Sequence, residues 1–153
     1  TRRLPGATAT SAKNAARQSG YEAISLHTGG PMFDHIGIAV SSFEKSVRFY
    51  EAALAPLGFR LESHDPKAQS AGFGPKGAPA LWIGAGKPPG PLHFAFQAKT
   101  RSAVRQFHAA ALAAGGKDNG KPGVRENYAP TYYAAFVHDP DGNNIEAVCQ
   151  AAE

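Results

Sequence analysis

The same arrangement of apolar and polar positions occurs twice along the chain. In "FDHIGIAV" (33–40) Ile36, Ile38 and Val40 alternate with His35, Gly37 and Ala39, the period-two pattern of a strand with one buried face. Behind it Phe43, Val47, Tyr50 and Leu54 recur at helical spacing, with Ser42 at the N-cap position and Gly58 as the stop. Fifty-eight residues on, "LHFAFQA" (92–98) alternates Leu92, Phe94 and Phe96 with His93, Ala95 and Gln97. Thr100 then caps a second amphipathic run, Val104, Phe107, Ala111 and Leu112, that ends at Gly116.

Laid over each other without a gap, the copies align His35 with His93, Phe49 with Phe107, "AALA" 52–55 with 110–113, and Gly58 with Gly116. Each helix is followed by strand-like runs. In the first copy these are 59–65, 69–74 and 79–84. In the second they are a poorly marked stretch near 117–127 and then "TYYAAFVH" and "NNIEAVCQ" around the turn "DPDG". The pattern predicts an α+β domain over 32–150 made of two βαβββ modules, about 32–88 and 89–150. Residues 1–31, rich in Ala, Thr, Ser and Gly, read as an N-terminal extension, native or added, in which "SAKNAARQSGYEAISL" has the makings of a helical turn or short strand. Met32, the single methionine, looks like a start site.

Strand alternation decides where the polar exceptions point. His35 and His93 share faces otherwise lined by glycine, alanine or amide, which suits a cavity wall better than a core. If "DPDG" closes its hairpin with His138 opposite Asn143, Ala135 faces Glu146 and Tyr133 faces Val148, so Tyr133, Ala135 and Glu146 share a face; a bulge would reverse the Tyr133 assignment. Glu146, flanked by Ile145 and Ala147, is costly to bury without a partner. His35, His93 and Glu146 are therefore the candidate metal ligands, a two-histidine, one-carboxylate set that leaves coordination positions open for substrate. Glu146 is the candidate base and Tyr133 the candidate acid or hydrogen-bond donor. Zn, Mn, Fe, Ni and Co are all compatible with imidazole plus carboxylate. His64, His108 and His138 read as surface or local structural residues, and His27 lies in the extension. "GFGPKG" is a glycine-rich hairpin that lacks the ending of a phosphate loop, and "DPDGNN" is a turn without the spaced acids of a calcium loop.

Composition narrows the setting. One cysteine, Cys149, excludes an internal disulfide and a cysteine-based zinc site and suits a reducing, cytoplasmic compartment. No apolar run is long enough to cross a bilayer. Of the net charge of +4, Arg2, Arg3, Lys13 and Arg17 against Glu22 place +3 before Met32. The nearly neutral remainder has no footprint for nucleic acid, which leaves a small molecule as the expected partner.

"FDHIGIAVSSFEKSVRFYEAAL", "LHFAFQA" and "YYAAFVHDPDGNNIEAV" together resemble the vicinal oxygen chelate superfamily of glyoxalase I, bleomycin-resistance proteins, fosfomycin-resistance enzymes, methylmalonyl-CoA epimerase and extradiol dioxygenases. The resemblance implies modules that curl into a cupped mixed β-sheet with helices on the outer face. It also implies a divalent metal held on the first and last strands of each module, and commonly a homodimer, with modules paired within or between chains. His35, His93 and Glu146 match three of the four ligand places. Trp82 stands at the fourth, where glyoxalase I supplies a glutamate, and its expected role, with Gln97, is to line the substrate pocket. The implied functions are a metal-dependent lyase, isomerase, thiol transferase or dioxygenase, or alternatively a non-catalytic sequestering protein of the bleomycin-resistance type.

Overall fold

A computed structural model describes residues 32–152, so the expectations for residues 1–31 lie outside the described residues. The first module runs β1 (Ile36–Val40), α1 (Phe43–Leu54), a 3₁₀ turn (Ala55–Leu57), β2 (Arg60–Asp65), β3 (Ser70–Gly74) and β4 (Leu81–Ala85). The second runs β5 (His93–Gln97), α2 (Arg101–Ala113), β6 (Lys117–Val124), β7 (Tyr133–His138) and β8 (Asn144–Cys149). Each forms its own four-stranded mixed sheet, in the orders β1-β4-β3-β2 and β5-β8-β7-β6, with the first and last strands of the module parallel and adjacent. The two-module α+β architecture is the one the repeat predicts.

One face of each sheet packs on the helices. Ile38, Val40, Phe73, Leu81 and Ile83 meet Val47, Tyr50 and Leu54 of α1, while Ala135, Val137, Ile145 and Ala147 meet Val104, Phe107 and Ala111 of α2, and the two sets merge into one core. Burying an aromatic or branched side chain contributes about 1.5–3 kcal/mol, which fixes strand register because a one-residue slip would expose the whole set. The helix starts differ in detail. Thr100 Oγ1 accepts from the Ala103 N–H at 3.1 Å, whereas the Ser42 hydroxyl makes no cap bond, and its neighbour Ser41 gives both its N–H and its hydroxyl to Asp141 of the β7–β8 turn.

That turn is tied to the first module a second time. The buried Tyr50 hydroxyl donates to Asp139 Oδ2 at 2.6 Å, and Asp139 also accepts from the Asn143 side chain and from the Asp141 and Asn143 N–H groups. Burial first, and then the Asp139 carboxylate, push the Tyr50 phenol well above its usual pKa, so it remains a donor. At the helix ends, Gly58 and Gly115 take left-handed conformations (φ 84° and 95°). Gly116, aligned with Gly58, is glycine for another reason: an added Cβ would lie 2.6 Å from Val137 Cγ1 and 2.8 Å from Phe49 Cε2.

Candidate metal centre and substrate face

The faces turned away from the helices carry the candidate chemistry. In the second module the β5–β8 ladder sets Ala95 beside Glu146 and His93 beside Asn144, so His93, Ala95, Gln97 and Glu146 share that face as expected. His93 Nε2 lies 3.3 Å from Glu146 Oε2, with the imidazole about half exposed and the carboxylate almost fully buried. His93 Nδ1 stands 3.0 Å from the Asn144 carbonyl, a contact that requires Nδ1 to carry the proton. In the neutral ring this directs the Nε2 lone pair at a carboxylate oxygen. Two electron-rich atoms at that distance repel unless a proton or a cation sits between or beside them, and an imidazole fixed by a backbone carbonyl is the usual support of a metal ligand. The donor pair thus fits a divalent ion.

The tyrosine on this face is not the one the sequence suggests. The β7–β8 pairs are Phe136 with Glu146, Ala135 with Ala147 and Tyr133 with Cys149, one residue out of the expected register. The cause is the turn. Gly142 N–H donates to Asp139 O, Gly142 is left-handed at φ 85°, and Asp139 rather than His138 pairs with Asn143, giving a three-residue loop in which Gly142 forms a bulge. Tyr133 therefore turns to the helix side, where Arg101 and Arg105 lie 5.2 and 5.9 Å from its ring centroid. Tyr132 takes the place expected of Tyr133: its hydroxyl donates to Glu146 Oε1 at 2.6 Å. Desolvation and this bond to Glu146 push the Tyr132 phenol up to about 12, so it stays protonated near neutral pH.

In the first module the equivalent face is nearly bare. Gly37 pairs with Trp82 and Ala39 with Gly84, so Trp82 occupies the register position that Glu146 holds in the second module. The indole lies against Gly72, where a Cβ would come within 3.0 Å of two ring atoms, and space beside Gly37 is open. The indole is thus a flat aromatic wall next to open space, and Gln97 is exposed at the end of β5. His35 precedes β1, is 58% exposed, and pairs its Nδ1 with Asp34 Oδ1 at 2.7 Å. It lines an apolar cavity of about 190 Å³ with Phe59, Phe73, Phe94 and Phe96. Among the described residues no three His, Cys, Asp or Glu side chains gather closely enough to hold one ion. One chain brings together His93 and Glu146 and leaves His35 apart.

Of the other histidines, His108 is buried and pairs with Asp118 at 2.9 Å, and His64 stacks on Phe43, both local structural roles. Two residues that the sequence pattern missed share the open face of the second module. The Phe136 ring stacks on His93 with centroids 6.4 Å apart, and the Arg125 guanidinium lies 5.4 Å from the Phe136 centroid. The alternation that carries Phe136 to this face was readable, but only in the bulged register.

A family model described as the Glyoxalase/Bleomycin resistance protein/Dioxygenase superfamily matches residues 32–147. Among solved structures, a glyoxalase/bleomycin resistance protein from Albidiferax ferrireducens T118 is 29% identical, with 78% of this chain and 99% of that one covered and a TM-score of 0.68. A glyoxalase/bleomycin resistance protein/dioxygenase family enzyme from Burkholderia phytofirmans PsJN shares the fold at 17% identity, 77% and 98% coverage and a TM-score of 0.60. A variant of glyoxalase I from Zea mays does so at 24% identity, 79% and 45% coverage and a TM-score of 0.53. No curated protein gives a significant match.

Proposed function

Since the chain belongs to the Glyoxalase/Bleomycin resistance protein/Dioxygenase superfamily, we propose that it is a metal-dependent enzyme that chelates two adjacent oxygens of a small-molecule substrate. The observation that carries this reading is the His93–Glu146 pair, a fixed imidazole and a nearly buried carboxylate 3.3 Å apart on the open face. His93 and Glu146 are two ligands, and His35 from a second copy of the chain is the third, which makes the working form a homodimer with modules paired between chains. A divalent ion held there would polarise the substrate oxygens and offset the negative charge that develops on one of them.

The remaining work falls to side chains. Glu146, once released from the ion during turnover, would be the proton acceptor for a carbon or oxygen acid brought against Oε2. Tyr132, donating to Oε1, holds the carboxylate in place and, being protonated, serves as the hydrogen-bond donor first expected of Tyr133. Trp82 and Gln97 line the pocket. The exposed apolar side chains Phe33, Ile36 and Leu92, at the starts of the two first strands, agree with burial against a second copy.

Elemental analysis of protein purified without chelator, with sedimentation to give the assembly state, tests the reading. It should be followed by a screen of glutathione hemithioacetals, acyl-CoA thioesters, catechols and fosfomycin. About one metal per chain in a dimer, and turnover lost in His35→Ala, His93→Ala and Glu146→Gln, are the expected results. A protein that takes up no metal and whose ligand binding survives His93→Ala would instead be the sequestering type.

A further inference from the structure

We infer that Arg125 reads an oxyanion on the substrate, so that the molecule taken by this site carries a carboxylate or phosphate a short spacer away from its chelating oxygens. The inference builds on the proposed chelating site and names the substrate class for it. Arg125 follows β6, where the pairing with β7 is interrupted twice, between Asp118 and Gly120 and between Gly120 and Gly123. Glycine at both irregular positions leaves space beside the Arg125 side chain: a Cβ at Gly120 would lie 2.8 Å from Phe136 Cδ2 and 3.4 Å from Arg125 Nη2, and one at Gly123 would lie 3.3 Å from Arg125 Nη1. The guanidinium donates from Nη2 to the Lys121 carbonyl at 2.6 Å and lies over the Phe136 ring.

Among the described residues no carboxylate lies within ion-pair distance of the Arg125 guanidinium. A cation fixed by stacking and one backbone carbonyl keeps most of its five donors for a ligand, in a planar fork that matches a carboxylate or phosphate. Its position is informative because Phe136, the ring beneath it, also stacks on His93. The cation thus stands one aromatic ring away from the candidate ligand pair. Tyr128, 61% exposed and edge-on to Tyr132 at 5.2 Å, extends the aromatic wall on the side of Glu146. A flat or short-chain molecule with chelating oxygens at His93 and Glu146 and an anionic end over Phe136 satisfies both poles.

The test compares matched probes on the full chain with zinc(II) present: 3,4-dihydroxybenzoate, its neutral analogue 3,4-dihydroxybenzamide, and 3,4-dihydroxyphenylphosphonate, with dissociation constants from calorimetry. Charge-assisted hydrogen bonds from a preset fork predict that the benzoate binds about tenfold or more tightly than the benzamide. This ratio should fall to about one in Arg125→Ala, take an intermediate value in Arg125→Lys, and persist in Arg60→Ala. A melting curve for each variant confirms folding. Preference for the phosphonate over the benzoate would assign the same cation to phosphate esters. Equal affinities in the unaltered protein, failure to bind either included, or a ratio that survives Arg125→Ala, would overturn the proposal. The chelation reading fails separately: omission of zinc and His93→Ala would then leave the affinities unchanged while the benzoate-to-benzamide ratio held.

Discussion

The two modules share a scaffold and differ on one face. Phe49 and Phe107, aligned by the repeat, are both fully buried, and in each module the last strand lies parallel to the first. Away from the helices the first module offers Gly37, Ala39, Gly84 and a single indole, whereas the second presents His93, Glu146, Tyr132, Phe136 and Arg125. The helix-facing residues meet the same packing demand in both copies. The open faces differ: the first copy sets a bare wall and an indole beside an exposed His35, and the second gathers an imidazole, a carboxylate, a phenol and a guanidinium.

If the scaffolds are equivalent, the largest losses should be matched. Phe49→Ala and Phe107→Ala should each cost about 3–5 kcal/mol in denaturant unfolding; a cost confined to one of them would break the equivalence. The open faces should respond unequally. His93→Ala should reduce metal affinity by more than the roughly 10–100-fold expected when a supporting partner is removed, as in Tyr132→Phe, whereas Trp82→Ala should leave metal affinity in place and weaken small-molecule binding. Competition with a fluorescent chelator measures both.

Tyr50 and His108 occupy aligned positions, and each reaches a carboxylate. Tyr50→Phe removes one of the four donors to a buried aspartate and should cost about 1–3 kcal/mol. His108→Ala should cost less, because Asp118 is largely solvated. Its hydrogen bond from His108, then that from the Gly120 N–H, hold the Asp118 carboxyl below its ordinary pKa. The stability this contributes is present above the unfolded carboxylate pKa of about 4 and is lost as pH falls through the depressed value. His108→Ala should flatten that acid limb in melting curves taken across the range, and an unchanged slope would show the pair to be inert.

Much of this division was visible in the residues themselves. The gapless repeat gave both modules, because helix and strand periods are carried by bulky apolar residues that must be buried. The place of Trp82 came from the resemblance, by overlay of the two modules' last strands, whereas the faces of His93 and Glu146 followed from alternation. The β7–β8 register did not, although Pro140 after Asp139 and Gly142 two residues later suit a type I turn with a left-handed glycine, a signature that would have put Tyr132 beside Glu146. β6 was poorly marked because "KDNGKPGV" has two glycines, a proline and few apolar residues, and it is held as a strand by its pairing with β7. Arg125 sits at the end of that stretch, where no periodicity points to it.

The bond from Tyr50 to Asp139 sets the two halves apart. A chain assembled from two second modules would put the His108 imidazole where the Tyr50 phenol stands, and a chain of two first modules would have no Asp139 turn to receive it. Because the phenol of one repeat closes on the loop of the other, the halves are not interchangeable, and a chain built twice from either half would lose this bond between the modules.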